Sequence, residues 1–181
     1  GSFALLYELI PAPAILPILI FIGLEISAQS FGATPKHHYP AVAIACIPAL
    51  AALVVIQTDK LLAAGATPGN QLASELYSLR ILASGFIITS LLWAGVTAAL
   101  IDRTLIKASG WCIAAATFTL FGIIHSPFQD GRMFFPWAIG ELPIESRGRS
   151  PTELTIAYVL LALIFLGWGL WYREQQNHSS P

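Results

Sequence analysis

Between Arg80 and Asp102 the chain carries no charged residue: Ile81 to Ile101 reads ILASGFIITSLLWAGVTAALI. A helix rising roughly 1.5 Å per residue covers about 30 Å in about 20 residues, the thickness of a bilayer's hydrocarbon core. The polar members Ser84, Thr89, Ser90 and Thr97 are hydroxyls, which bond back to carbonyls of the preceding turn and so survive without water. A soluble core helix of this length presents a polar face, and none is present. The stretch predicts a transmembrane helix, guarded by Arg80 at one end and by Asp102 and Arg103 at the other.

Composition carries that reading to the whole chain. Hydrophobic residues make up 56% and charged residues 10%, with a mean hydropathy of +0.71; a soluble domain carries roughly 25% charged residues. There is too little polar surface to coat a water-soluble domain. The net charge of −1 is uninformative here, but no basic patch exists to grip phosphates, so no nucleic-acid partner is expected. Cys46 and Cys112 lie in apolar runs without C-x-x-C spacing and are expected to be buried thiols acting as small hydrophobes. Gly1-Ser2 opens on an apolar run with neither Met nor a basic stretch. No signal peptide is therefore expected, and the chain is taken as a portion of something larger.

Four further apolar runs flank the central one. Ile10 to Phe31 carries Pro11, Pro13 and Pro17 early, and Pro17 predicts a kink or a broken segment because proline deletes an interior hydrogen bond. Within it Gly23 and Ser27 form a small-xxx-small pair suited to close helix packing. The run Ala41 to Gln57 repeats Ala41, Ala45 and Ala49 along one stripe, and Pro48 predicts a bend. Ile106 to Ile124 follows a link too short for anything but an antiparallel return, with Trp111 as an interfacial anchor. Leu154 to Tyr172 starts after Ser150-Pro151-Thr152-Glu153, a capping box with proline in the first turn. It ends in Trp168, Trp171 and Tyr172, a membrane exit signature.

The polar connections are plainer. Over Thr58 to Leu79, Asp59, Lys60 and Thr67-Pro68-Gly69-Asn70 predict a loop. Asn70 is then the expected N-cap of a short interfacial helix, whose Leu72, Leu76 and Leu79 share a face and which feeds the central span. Phe128 to Ser150 interleaves Asp130, Arg132, Glu141, Glu145, Arg147 and Arg149 with Phe134, Phe135, Pro136 and Trp137, the pattern of a loop lying on headgroups. His125, beside Ser126-Pro127, is expected to be a helix-end cap. His37 and His38 point to different sides of a helix and have no third ligand near them in sequence, so solvated side chains and no metal site are expected. The tail after Arg173 is expected to be disordered. Lysines and arginines divide too evenly between the two sides to set orientation.

The expected fold is all-α: a polytopic integral membrane helical bundle of about five transmembrane helices plus a short interfacial helix. Residues 1–127 hold four spans with the interfacial insertion near 58–79. Residues 128–150 form a polar and aromatic loop, 151–173 the fifth span and 174–181 the tail.

Three stretches together resemble a known family. Pro13-Ala14-Ile15-Leu16-Pro17-Ile18-Leu19-Ile20-Phe21-Ile22-Gly23 resembles the "APALIIVG"-like opening of a late helix in the xanthine/uracil permeases. Ile47-Pro48-Ala49-Leu50 resembles the "IPAFL" of the following helix, and Ala83-Ser84-Gly85-Phe86 the "ANGI" turn that begins the next. Order and spacing over roughly Ile10 to Ile124 are similar to the C-terminal part of the nucleobase–cation symporter family, its hypoxanthine/guanine branch above all. The resemblance implies two inverted seven-helix repeats forming a core and a gate domain, with the first span here in the core and later spans in the gate. The family's substrate-binding acidic residues lie upstream of this region, so none is carried over. The Thr58 to Leu79 insertion and the run after Ser150 depart from the family's pattern.

The expected function is therefore a portion of a secondary active transporter (permease) for nucleobase-like solutes, in which proline-rich broken helices and small-residue seams serve alternating access. The alternative is a non-transporting integral membrane subunit or anchor. Glu25, a carboxylate inside an apolar run, is the candidate for proton coupling, with Gln29 as its hydrogen-bonding neighbour and Ser84 as a further substrate or coupling residue. No H-E-x-x-H, G-x-S-x-G or glycine-rich phosphate loop occurs, so no enzyme, catalytic residue, cofactor or metal is expected. Expected partners are the bilayer, a small solute, and remaining helices of the same transporter or partner membrane chains. The expected location is a membrane, the bacterial plasma membrane.

Overall fold

The computed structural model describes residues 12–67, 69–128, 131–141 and 151–178, and among these every regular element is helical. The order is α1 (Ala12–Ala33), a 3-10 turn (Lys36–His38), α2 (Tyr39–Ala63), α3 (Asn70–Ala83), α4 (Phe86–Ile101), α5 (Leu105–Leu120), a second 3-10 turn (Pro136–Glu141) and α6 (Thr152–His178). Two helical stretches, Lys36–Ala63 and Thr152–Gln175, are long and apolar enough to cross a membrane. A third is counted if α3 and α4, bent by 73° at their junction, make one span. By this measure the described part of α1 and the 16-residue α5 are short apolar helices. The all-helical expectation holds among the described residues, where two to three of the roughly five expected spans are helices long and apolar enough to cross a membrane.

The corrections have local causes. Pro17 and Pro48 both lie inside unbroken helices. Each removes one i→i−4 bond, and the remaining ladder keeps the helix together. The break falls instead inside the stretch expected to be one span, at Ser84–Gly85. There Ser84 is extended and Gly85 takes the left-handed conformation, φ 67. The loop expected from Thr58 shrinks, because α2 runs on to Ala63. Thr58 Oγ1 donates to the Val54 carbonyl at 2.8 Å, and Asp59 is ion-paired with Arg80 of α3 through a two-pronged contact, so neither polar group interrupts the helix. The N-cap of α3 is Gly69 rather than Asn70, and no side chain bonds the first turn. Of the face expected on α3, Leu76 is buried, Leu79 half-buried and Leu72 exposed. The expected Ser150 cap lies outside the described residues, as do Asp130, Glu145, Arg147 and Arg149. The tail expected to be disordered is helical through His178, since nothing between Arg173 and His178 breaks a helix.

α5 and α6 form the closest pair. On α5, Ala108, Cys112, Ala115 and Thr119 recur at four- and three-residue intervals and are all buried. Such small side chains let backbones approach, and Ser109 Oγ donates across the seam to the Ala162 carbonyl at 2.8 Å. Gly169 of α6 lies so close that a Cβ there would meet Leu105 and Ile106 at 3.1–3.3 Å. α2 packs on α4, and Ala41, Pro48, Ala51 and Ala52 of α2 are buried; of the expected every-fourth stripe Ala41 is buried, Ala45 half-buried and Ala49 exposed. Cys112 is buried as expected, whereas Cys46 is exposed.

α1 meets the rest only near its end, where Phe31 and Tyr39 stack edge to face at 5.1 Å. A Cβ at Gly23 would touch nothing within 4 Å, so the expected Gly23–Ser27 seam has no partner among the described residues. Phe21 and Leu24 are 68% and 66% exposed, so this apolar surface is left uncovered among the described residues.

Candidate functional site

The break between α3 and α4 frees carbonyls that a continuous helix would have used, and in an apolar surround each needs a donor. The segment after α5 supplies them. α5 ends at Leu120, and Gly122, at φ 65, turns the chain back with its N–H on the Thr119 carbonyl and that of Ile123 on the Phe118 carbonyl. This is the Schellman ending that favours glycine. The ring of Phe134 fills the space where a Cβ of residue 122 would sit. The turn sends Ile123–Ser126 across the broken span, where Gly85 leaves room for the Ile123 carbonyl and for Ile124.

Four bonds fasten this crossing. The His125 N–H donates to the Ser84 carbonyl at 3.1 Å, and the Ser126 N–H to Ser84 Oγ at 3.2 Å. Ser126 Oγ donates to the Arg132 carbonyl at 2.8 Å, and His125 Nδ1 lies 3.2 Å from the Ile81 carbonyl. A carbonyl only accepts, so Nδ1 carries the proton and Nε2 is an acceptor. Nε2 is 3.0 Å from the Tyr158 hydroxyl, which therefore donates to it, and that hydroxyl accepts from Trp93 Nε1 at 2.8 Å. The result is a directed chain from Trp93 of α4 through Tyr158 of α6 and His125 to Ile81 of α3. Its imidazole is neutral and bonded at both nitrogens.

His125 is buried and lies in the connection between α5 and α6. Burial pushes its imidazole below the ordinary value of 6.5, and the bond to Ile81 offsets this only in part. It is not the helix-end cap expected from its neighbouring proline but a hub that bonds to α3 through Ile81 and to α6 through Tyr158. The signal for it was a histidine after a glycine turn, which has many other uses.

Beside the hub opens a cavity of about 490 Å³, walled by Tyr77, Trp93 and Tyr158, with His125, Ser78 and Glu153 as polar groups. The Tyr77 hydroxyl is buried with no hydrogen-bond partner among the described residues. Aromatic faces with a few placed polar atoms are the usual make-up of a small-molecule site.

No protein-family model matches the chain, nor does any curated protein or solved structure. The reading of the site therefore rests on its geometry.

Of the expected site residues, Ser84 stands at the crossing as the acceptor for Ser126. Glu25 and Gln29 are elsewhere: Gln29 Nε2 donates to Glu25 Oε1 at 3.1 Å on an exposed face of α1, and neither lines the cavity. In the central run, Thr89 and Thr97 bond back to the carbonyls of Gly85 and Trp93 as expected. Ser90 Oγ is buried without a partner among the described residues. Within the expected headgroup loop the Arg132 guanidinium lies 4.0 Å above the Phe128 ring, and the exposed rings of Phe135 and Trp137 stack at 4.6 Å. His37 and His38 do have a third partner, Asp102, which sequence proximity did not reveal.

Proposed function

We propose that this chain is a portion of a secondary active membrane transporter for nucleobase-like small solutes, with the solute received in the cavity beside His125. The observation that carries the reading is the broken span. Transporters bind their substrates where discontinuous helices leave backbone groups free within the membrane, and gate by moving one bundle against another around that point. Here the α3–α4 break, crossed by a buried polar strap, adjoins a cavity with three aromatic walls. A flat heterocycle stacks on such walls, and the Tyr77 hydroxyl, buried without a partner among the described residues, is left to pair with a ring nitrogen or carbonyl, since the His125 and Tyr158 groups are bonded to one another. The similarity of Ala83-Ser84-Gly85-Phe86 to the permease turn falls on this same break.

Glu25 is proposed as the proton-coupling carboxylate, held by Gln29 for contact with helices outside the described residues. Glu25→Gln is expected to abolish uptake with expression unchanged; undiminished proton-driven uptake removes that role.

The test of the solute site is binding of xanthine, hypoxanthine and uracil to the detergent-purified protein by calorimetry. Saturable binding of one base is expected. Tyr77→Phe, which removes the cavity hydroxyl that has no partner among the described residues, is expected to weaken it about tenfold, the equivalent of one hydrogen bond at the upper end of its usual worth. No saturable binding of any base, or equal binding by the variant, refutes the assignment. The exposed flank of α1 favours a second reading, a non-transporting subunit packed against partner chains. The mass of the native assembly and the absence of solute uptake would single it out.

A further inference from the structure

We infer that His37, His38 and Asp102 form a binding site for a divalent transition-metal cation of the zinc class, at the end of the bundle where α2 begins and α4 ends. The residues are far apart in sequence and are brought together by two local devices. Lys36–His38 is a 3-10 turn rather than the first turn of α2, and its tighter winding sets the two imidazoles beside each other, ring centroids 4.2 Å apart and tilted by 53°. Asp102 is the C-cap of α4. The next residue, Arg103, takes the left-handed conformation (φ 54), and Thr104 N–H closes the turn on the Ala99 carbonyl at 2.8 Å. A non-glycine residue held there is uncommon, and it holds the Asp102 carboxylate at the end of α4 beside the start of α2.

The distances suit coordination. His38 Nε2 is 2.7 Å and His37 Nε2 3.8 Å from the same carboxylate oxygen, Asp102 Oδ1. One nitrogen or oxygen from each of the three residues lies within 4.8 Å of the others. Tetrahedral ligands bound at 2.0–2.1 Å stand about 3.3 Å from one another, a value the two observed separations bracket. Small side-chain adjustments therefore admit an ion without moving either helix. A cation there takes the place of the direct His38–Asp102 contact.

The donor set selects the metal class. Two imidazole nitrogens and one carboxylate suit zinc and its neighbours, whereas calcium and magnesium require mostly oxygen ligands. The His38 side chain is only 19% exposed, while those of Asp102 and His37 are 45% and 62% exposed. One ligand is thus anchored and two face water, which leaves room for a water or a further group in the fourth position. Because α2 and α4 pack on one another, an ion at this point clips the ends of two helices and stabilises the folded state by mass action.

The test uses the full chain in detergent, purified without a histidine tag, with Zn²⁺ followed by calorimetry and Co²⁺ by its visible absorption. One equivalent is expected to bind, with a raised melting temperature. His37→Ala and Asp102→Asn are each expected to weaken binding at least tenfold, roughly what loss of even a supporting hydrogen bond costs a metal site. His37 is exposed, so His37→Ala keeps the unliganded melting temperature and separates lost binding from lost folding. Absence of stoichiometric binding, or binding unchanged in both variants, overturns the site. Neither result bears on solute binding beside His125.

Discussion

The backbone N–H of His125 bonds to the carbonyl of Ser84, and that bond ties the segment leaving α5 to the point where α3 gives way to α4. It makes the break in the span a built junction. At the 73° bend the carbonyls of Ile81 and Ser84 accept from the second segment rather than being left bare.

Gly85→Ala tests that junction. A side chain at φ 67 costs roughly 1–2 kcal/mol in strain. Its Cβ would also press on the Ile123 carbonyl and approach Ile124 to 2.9 Å. Together a loss above about 3 kcal/mol is expected, read as a fall of roughly 6–12 °C in melting temperature. Gly110→Ala, in a helix with nothing within 4 Å of the new Cβ, is expected to gain about 0.5–1 kcal/mol. Equal effects from the two would show that the crossing does not constrain residue 85.

Tyr158→Phe removes the hydroxyl that accepts from Trp93 and donates to His125. Each group left unpaired costs about 1–3 kcal/mol, so a loss of at least about 2 kcal/mol is expected. A shifted Trp93 emission should accompany it. A variant as stable as the parent would mean that water or a rearrangement satisfies both groups.

His125 sets a pH dependence whose sign follows from its environment. Its imidazole is held below the ordinary 6.5, so as pH falls the unfolded chain takes up this proton before the folded chain does. Its contribution is fully present above about pH 6.5 and is lost progressively below it. Melting temperatures taken between about pH 8 and about pH 5 should fall on the acid side, and His125→Gln should flatten that slope. A slope identical in the two proteins assigns the effect to other groups.

Asp59 and Arg80 join the end of α2 to α3 by a two-pronged ion pair, with the Arg80 side chain 23% and that of Asp59 45% exposed. Partial exposure limits its worth to about 1 kcal/mol. A double-mutant cycle with Asp59→Ala and Arg80→Ala should return a coupling of that size, weakened by salt. Arg80→Lys should recover only part of it, since an ammonium does not reproduce the paired geometry. A coupling indistinguishable from zero would leave α3 held by packing alone.

Much of this architecture was legible in the residue order because run length and hydropathy report directly on helices. Lys36–Ala63 and Thr152–Gln175 stand where uncharged runs stood. Errors gathered where a residue's role depends on what lies against it. Gly85 inside an apolar run looks like any small residue of a span, and it becomes a bend only because Ile123 and Ile124 cross there. Pro17 announced a kink or a break and Pro48 a bend, and both lie inside unbroken helices. A lost hydrogen bond weakens a helix, whereas a crossing segment with donors to offer can hold one open.

Helicity and apolar character are local, additive properties, and the order of residues was enough to establish them. The hub at His125, its link through Tyr158 to Trp93, and the meeting of His38 with Asp102 are products of folding. Each joins groups distant in sequence, and hydrogen-bond direction, burial and ligand spacing come into being only when helices pack and bring those groups within about 3 Å.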